Sequence, residues 1–151
     1  MRLAVIGSTN GTDLVPIVDA INSGELLASV EVVISNNEHS GILKKAGSYG
    51  IEGHFICHKN KKRDVFDLEM SQILESKKID LILLIGFMRI LSSGFVERWR
   101  GKIINVHPSL LPKYAGGMNS SVHESVLAAG DKESGCTCLL YTSDAADDLI
   151  G

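Results

Sequence analysis

Cysteine is scarce and unpaired: Cys57, Cys136 and Cys138 form no CxxC pair and make an odd total, so neither a disulfide framework nor a thiolate zinc site is suggested. That usage fits a reducing cytoplasm. Long hydrophobic runs are also missing. Met1-Arg2 leads straight into Leu3-Ala4-Val5-Ile6, a strand-length apolar run too short for a signal peptide or a membrane span. Positive charge is not in excess either: the formal net charge is −3, and basic residues are scattered apart from Lys59-Asn60-Lys61-Lys62-Arg63. Nucleic acid and membrane are therefore not expected partners. Before residue 137 there is no internal repeat, low-complexity tract or linker, which argues for one domain. A chain of this length buries about 68–70% of its unfolded surface, enough for a core without staples.

What is present alternates. Leu3 to Ile6 is a strand-like run, Gly7 to Gly11 is small and polar, and Leu14, Ile17, Val18 and Ile21 recur at helical spacing. Val30 to Ser35 predicts a second strand and Gly41 to Tyr49 a helix; Ile51 to Cys57 predicts a weaker strand. From Val65 to Lys77 the chain is amphipathic, with Phe66, Met70, Ile73 and Leu74 on one face. Ile79 to Ile85 is apolar nearly throughout, the pattern of a central parallel strand covered on both faces, and Gly86 ends it. Strand alternating with helix at this spacing predicts an α/β fold, a doubly wound and mostly parallel sheet built from right-handed βαβ crossovers.

Two places in that frame can do chemistry. In Gly7-Ser8-Thr9-Asn10-Gly11-Thr12-Asp13 a strand feeds a small-residue turn that opens a helix, so free backbone N–H groups and the helix dipole could hold a phosphate. The spacing is neither Gly-x-Gly-x-x-Gly nor a Gly-Lys-Ser/Thr loop, which argues against a dinucleotide or a nucleoside triphosphate. The alternative is a tight turn capped by Thr12, and the Asp13 carboxylate would have to point away from any bound anion.

The second place is the end of the strand predicted over Gly101 to His107. Side chains two apart on a strand share a face, so Asn105 and His107 should project together while Val106 packs the other way. Pro108 lacks an N–H and biases His107 toward extended angles, which leaves the imidazole at a strand's carboxyl end, where open α/β sheets bind ligands. The other four histidines, His39, His54, His58 and His123, have no such company and are expected to be structural or exposed.

Asn105-Val106-His107-Pro108-Ser109-Leu110-Leu111-Pro112-Lys113-Tyr114, together with Gly7–Asp13 and Gly86-Phe87-Met88-Arg89-Ile90-Leu91 in that order, resembles the signature of the folate-dependent formyltransferases over residues 1–137. The resemblance implies an enzyme, of Rossmann-like fold and cytoplasmic, that passes a formyl group from 10-formyltetrahydrofolate to the amine of glycinamide ribonucleotide in purine synthesis, without a metal. It implies Asn105 and His107 as catalytic residues, the one hydrogen-bonding the developing oxyanion and the other managing protons. Gly11, Thr12 and Asp13 would meet the ribose phosphate, and Arg63, Met88, Arg89, Ile90, Leu91 and Asn105 the folate. For Met88, Ile90 and Leu91 plain core packing is the competing reading.

Asp13 stands where Asn is common in such proteins, Ala115–Ser121 is a longer loop than many carry, and the resemblance implies a cis bond at Leu111–Pro112. A tRNA-directed formyltransferase would need a basic extension that is not seen here. A formyltetrahydrofolate hydrolase usually departs from His107-Pro108-Ser109-Leu110-Leu111-Pro112. A sugar-phosphate-binding module without catalysis would use Asn105 and His107 only as structural hydrogen bonders.

From Cys138 onward, Cys138-Leu139-Leu140-Tyr141-Thr142-Ser143-Asp144-Ala145-Ala146-Asp147-Asp148 is similar to a translated frame of a transposon-based sequencing adapter, so residues 138–151 are read as a non-native tail. The aspartate that in such formyltransferases keeps the imidazole protonated is then expected to be missing, and Asp144, Asp147 and Asp148 are not assigned its role. Proton management of this kind is worth about 10²–10⁴ in rate, so a chain without the aspartate is expected to turn over weakly.

Overall fold

The computed structural model describes residues 1–107 and 137–140, with Val106, His107 and the second stretch given as backbone. The remainder of the Pro108–Tyr114 signature, the Leu111–Pro112 bond, the 115–121 loop, His123, Cys136 and residues 141–151 lie outside the described residues. Six strands form one sheet, in the order β3-β2-β1-β4-β5-β6. They are β1 (Arg2–Ile6), β2 (Ser29–Ser35), β3 (Gly53–Phe55), β4 (Leu81–Leu84), β5 (Ile103–His107) and β6 (Thr137–Leu140). β1 to β5 are parallel, and β6 runs antiparallel to β5 with Thr137 opposite His107 and Leu139 opposite Asn105.

Alternation along the central strands builds two cores. Ala4, Ile6, Val32, Ile34, Ile82, Leu84 and Ile103 face α3 (Arg63–Ser76) and α4 (Ser93–Arg98), against Phe66, Met70, Leu74, Phe95 and Val96. Leu3, Val5, Val33, Leu83 and Ile85 face α1 (Leu14–Asn22) and α2 (Gly41–Ser48), against Leu14, Val18, Ile42 and Ala46. The near-continuous apolar run of β4 is thus the sequence of a strand with hydrocarbon on both sides. Winding goes from β1 through β2 to β3, then returns past β1 to β4 and β5, so the direction reverses between β1 and β4. A crevice at the carboxyl ends of those two strands follows from that reversal.

Several elements differ from expectation. β3 is three residues instead of the seven from Ile51 to Cys57, because it pairs with β2 on one side alone. β4 is shorter than Ile79–Ile85, although Asp80 N still donates to the Arg2 carbonyl and Ile85 N to the Ile6 carbonyl, so hydrogen bonding outlasts the regular strand. α3 begins at Arg63, two residues early. α4 was not foreseen: it is six residues with Gly94 inside, too short to show a period, and is started by Ser92, whose Oγ accepts from Phe95 N at 3.2 Å.

Candidate active site

Three strand ends meet where the winding reverses. After β1, Gly7 passes so close to the Ile85 carbonyl that a Cβ would collide with it. This glycine is a requirement of packing, since β1 and β4 are directly paired through Ile6 and Leu84. Ser8 then ties the two loops together: its N–H donates to the Gly86 carbonyl at 3.0 Å, and its Oγ accepts from Met88 N at 3.0 Å. On the far side of β4, Leu84 pairs with Asn105 of β5. The side chain of Asn105 is half-buried, and the backbone of His107 follows two residues on in the same strand. The first loop, the segment after β4 and the end of β5 are therefore neighbours.

The first loop closes on its own backbone. Leu14 N donates to the Gly11 carbonyl at 2.9 Å and Val15 N to the Thr12 carbonyl at 3.3 Å. The residue capping α1 is Asp13, without a side-chain cap bond, so the expectation that Thr12 caps the turn is corrected. With Leu14 and Val15 N–H bonded back into the loop and Pro16 carrying none, the first turn of α1 has no N–H group to spare, and what it offers an anion is its dipole. Gly11 is buried at φ +64° and packs on Ile42 of α2, while Thr12 is exposed and Asp13 half-buried. Lys45, also on α2, donates from Nζ to the Asn10 carbonyl at 2.8 Å, which sets a cation against the loop. No sequence signal joined Lys45 to Asn10, 35 positions apart.

Behind the segment after β4, α3 supplies the support. The Arg89 guanidinium carbon lies 4.8 Å over the Phe66 ring, and Arg63 begins the same helix one turn earlier, with its side chain exposed. The structure thus brings Arg63 and Arg89 to one neighbourhood. Met88 is 55% exposed, Ile90 is half-buried and Leu91 is 3% exposed inside the α3/α4 core. The packing reading therefore holds for Leu91 and fails for Met88. Asp67 is buried next to Phe66 and accepts from Ser92 N at 2.6 Å. Burial pushes its carboxyl above the usual range, against the pull of the Ser92 hydrogen bonds and the charges of Arg89 and Arg63.

A cavity of about 670 Å³ opens beside this junction, lined among others by Ser8, Asn36, His39, His58 and Met88. Asn36 accepts from Ser8 Oγ at 2.5 Å and lies 3.4 Å from His58 Nδ1, and His54 pairs with Glu52 at 2.8 Å. His39 is exposed. Among the described residues no group of three or more His, Cys, Asp or Glu is placed to hold a metal ion, and no helix is long and apolar enough to cross a membrane.

A family model described as formyl transferase matches residues 1–148. The chain is 44% identical over 139 residues to the trifunctional purine biosynthetic protein adenosine-3 of Drosophila melanogaster, covering 90% of this chain and 10% of that protein. It is 39% identical over 137 residues to the phosphoribosylglycinamide formyltransferase of Haemophilus influenzae, covering 90% of this chain and 63% of that protein. It therefore spans less than two thirds of the length of either. A solved phosphoribosylglycinamide formyltransferase from Coxiella burnetii superposes with a TM-score of 0.82 at 38% identity, covering 95% of this chain and 66% of that one.

Proposed function

The chain belongs to the formyl transferase family, and on that premise we propose that it serves a cytoplasmic enzyme activity transferring formyl from 10-formyltetrahydrofolate to the amine of glycinamide ribonucleotide, a step of purine biosynthesis. The amine nitrogen attacks the formyl carbon, and the carbonyl oxygen takes up the electron pair. Asn105, half-buried at the end of β5, donates its amide hydrogens to that oxygen, where charge grows in the transition state. Collapse re-forms the carbonyl and breaks the bond to N10 of the folate. His107 supplies the proton that N10 needs to leave, and the amine's surplus proton goes to solvent or to the same imidazole.

The substrate phosphate lies on Gly11, Thr12 and Asp13, at the positive end of the α1 dipole and with the Lys45 charge close by. The folate lies along Met88 to Leu91, with Arg63 and Arg89 available to its glutamate carboxylates as bidentate partners. Leu91 is held in the core and contributes through its backbone. No metal is needed, since the charge that develops is met by the Asn105 amide and the imidazole.

One observation carries this reading: the loop after β1 and the segment after β4 are bonded through Ser8, one strand away from Asn105. That adjacency supports a shared crevice for formyl donor and acceptor beside the end of β5. The test is steady-state turnover of the protein with both substrates. Asn105→Ala is expected to lower kcat by about 10²–10³ and His107→Ala by about 10²–10⁴, with both variants still binding glycinamide ribonucleotide. Unchanged turnover in His107→Ala would end the catalytic assignment. Formate release without an amine acceptor would redirect the reading to a hydrolase.

A further inference from the structure

We propose that Asp67 is a positioning residue: from the buried face of α3 its carboxylate holds the Ser92 amide and so sets where the Met88–Leu91 segment lies. The ligand half of this proposal rests on the folate reading of that segment; the mechanical half does not. Asp67 is the one charged side chain among the described residues that is buried. A carboxylate taken from water is costly unless strongly bonded, so its place between apolar Phe66 and Met70 needs a structural return. That return is the 2.6 Å bond from Ser92 N, made across 25 positions of sequence.

The bond does work that the sequence of α4 leaves undone. At a helix start the residue three beyond the cap is often Glu or Gln, whose side chain reaches back to the cap's own N–H. Here the cap is Ser92 and that third residue is Phe95, which is turned into the core. The Ser92 hydroxyl accepts from Phe95 N, but nothing on α4 can accept from Ser92 N. Asp67 supplies the missing acceptor from another helix.

The segment is consequently pinned at both ends. At its head, Met88 N is bonded to Ser8; at its tail, Ser92 N is bonded to Asp67. Between the pins, Arg89 rests on Phe66, the neighbour of Asp67 in α3, and Leu91 is anchored in the core. Loosening the tail pin frees residues 89–92 while the Ser8 bonds and the first loop stay as they are. An effect confined to one of two substrates follows.

The experiment compares Asp67→Leu, which keeps bulk and removes the acceptor, with Asp67→Asn, which keeps a carbonyl oxygen in reach of Ser92 N. In Asp67→Leu the Ser92 amide is expected to exchange about 10- to 100-fold faster, the loss corresponding to one unmet buried donor. The dissociation constant for tetrahydrofolate should rise by about tenfold or more on the same grounds, with that for glycinamide ribonucleotide within about twofold. Asp67→Asn should recover most of both. Unchanged exchange at Ser92 in Asp67→Leu, or equal weakening of both ligands, overturns the positioning role. If Asp67→Leu does not fold, the wild-type protein decides: a Ser92 amide exchanging as freely as that of exposed Gly94 overturns the proposal, and one protected like the α3 amides supports it. Wild-type protein that binds no tetrahydrofolate overturns the folate reading and the ligand half with it, while the exchange result still judges the pin.

Discussion

Gly11 shows how much a single backbone angle decides. Its φ of +64° lies where a Cβ is penalised by about 1–2 kcal/mol, and the added methyl would also run into Ile42. Gly11→Ala is therefore expected to lower stability by about 2–5 kcal/mol, the sum of strain and overpacking, measured by urea unfolding, and to weaken phosphate-substrate binding because the loop must shift. A stability change below about 0.5 kcal/mol, the range of an ordinary surface substitution, would mean the loop is softer than its packing indicates. That this loop is a turn between strand and helix was legible from Gly7 and Gly11 themselves. That Asp13 and not Thr12 sits at the helix start was not, since both residue types cap helices well and only the backbone path selects between them.

Among the elements, α4 is the one whose existence the sequence hid. Six residues are below the length at which a helix persists without tertiary support, and its start depends on Ser92. Ser92→Ala is expected to cost about 1 kcal/mol, the usual value of a hydroxyl cap, read as a lowered urea midpoint with unchanged slope; no change would show that the Phe95 amide finds another acceptor.

A different link joins β3 to the end of α3. Glu52 accepts from His54 at 2.8 Å and Lys77 at 2.9 Å, and these two bonds hold its carboxyl below the usual value of 4.5. The unfolded chain lacks them, so their contribution is present above pH 4.5 and disappears as pH falls through the lowered folded value. The melting temperature of Glu52→Gln should lie below that of the wild type at neutral pH, and the gap should close in acid. A gap that persists at pH 3 would point to packing. β3 was overestimated because its apolar flanks look alike whether or not a partner strand lies beside them.

At the scale of the whole molecule, protection should follow the sheet order. β1 and β4 have neighbours on both edges and hydrocarbon on both faces, whereas β3 has one partner and exposed Gly53 and Phe55. Native-state amide exchange is expected to be slowest at Val5, Ile6, Leu83 and Leu84 and faster at His54 and Phe55. Equal rates would mean that the sheet opens as a unit. The reversal between β1 and β4 is also a property of this scale: it sets the crevice, and it places the Gly7–Asp13 loop, the Met88–Leu91 segment and Asn105 side by side although Gly7 and Asn105 are 98 positions apart.

The sequence alone determined the alternation of strand and helix, the doubly wound class and the placing of Asn105 and His107 two apart on one strand, because hydrophobic period and strand parity are local and repeat within a few residues. Tertiary structure decided which loop touches which: Ser8 on Met88, Arg89 over Phe66, Lys45 against Asn10 and Asp67 beneath Ser92. Those contacts join residues 23 to 80 positions apart. No periodic pattern carries such information, because each depends on where the packed helices bring a side chain and on which buried N–H group is left needing an acceptor.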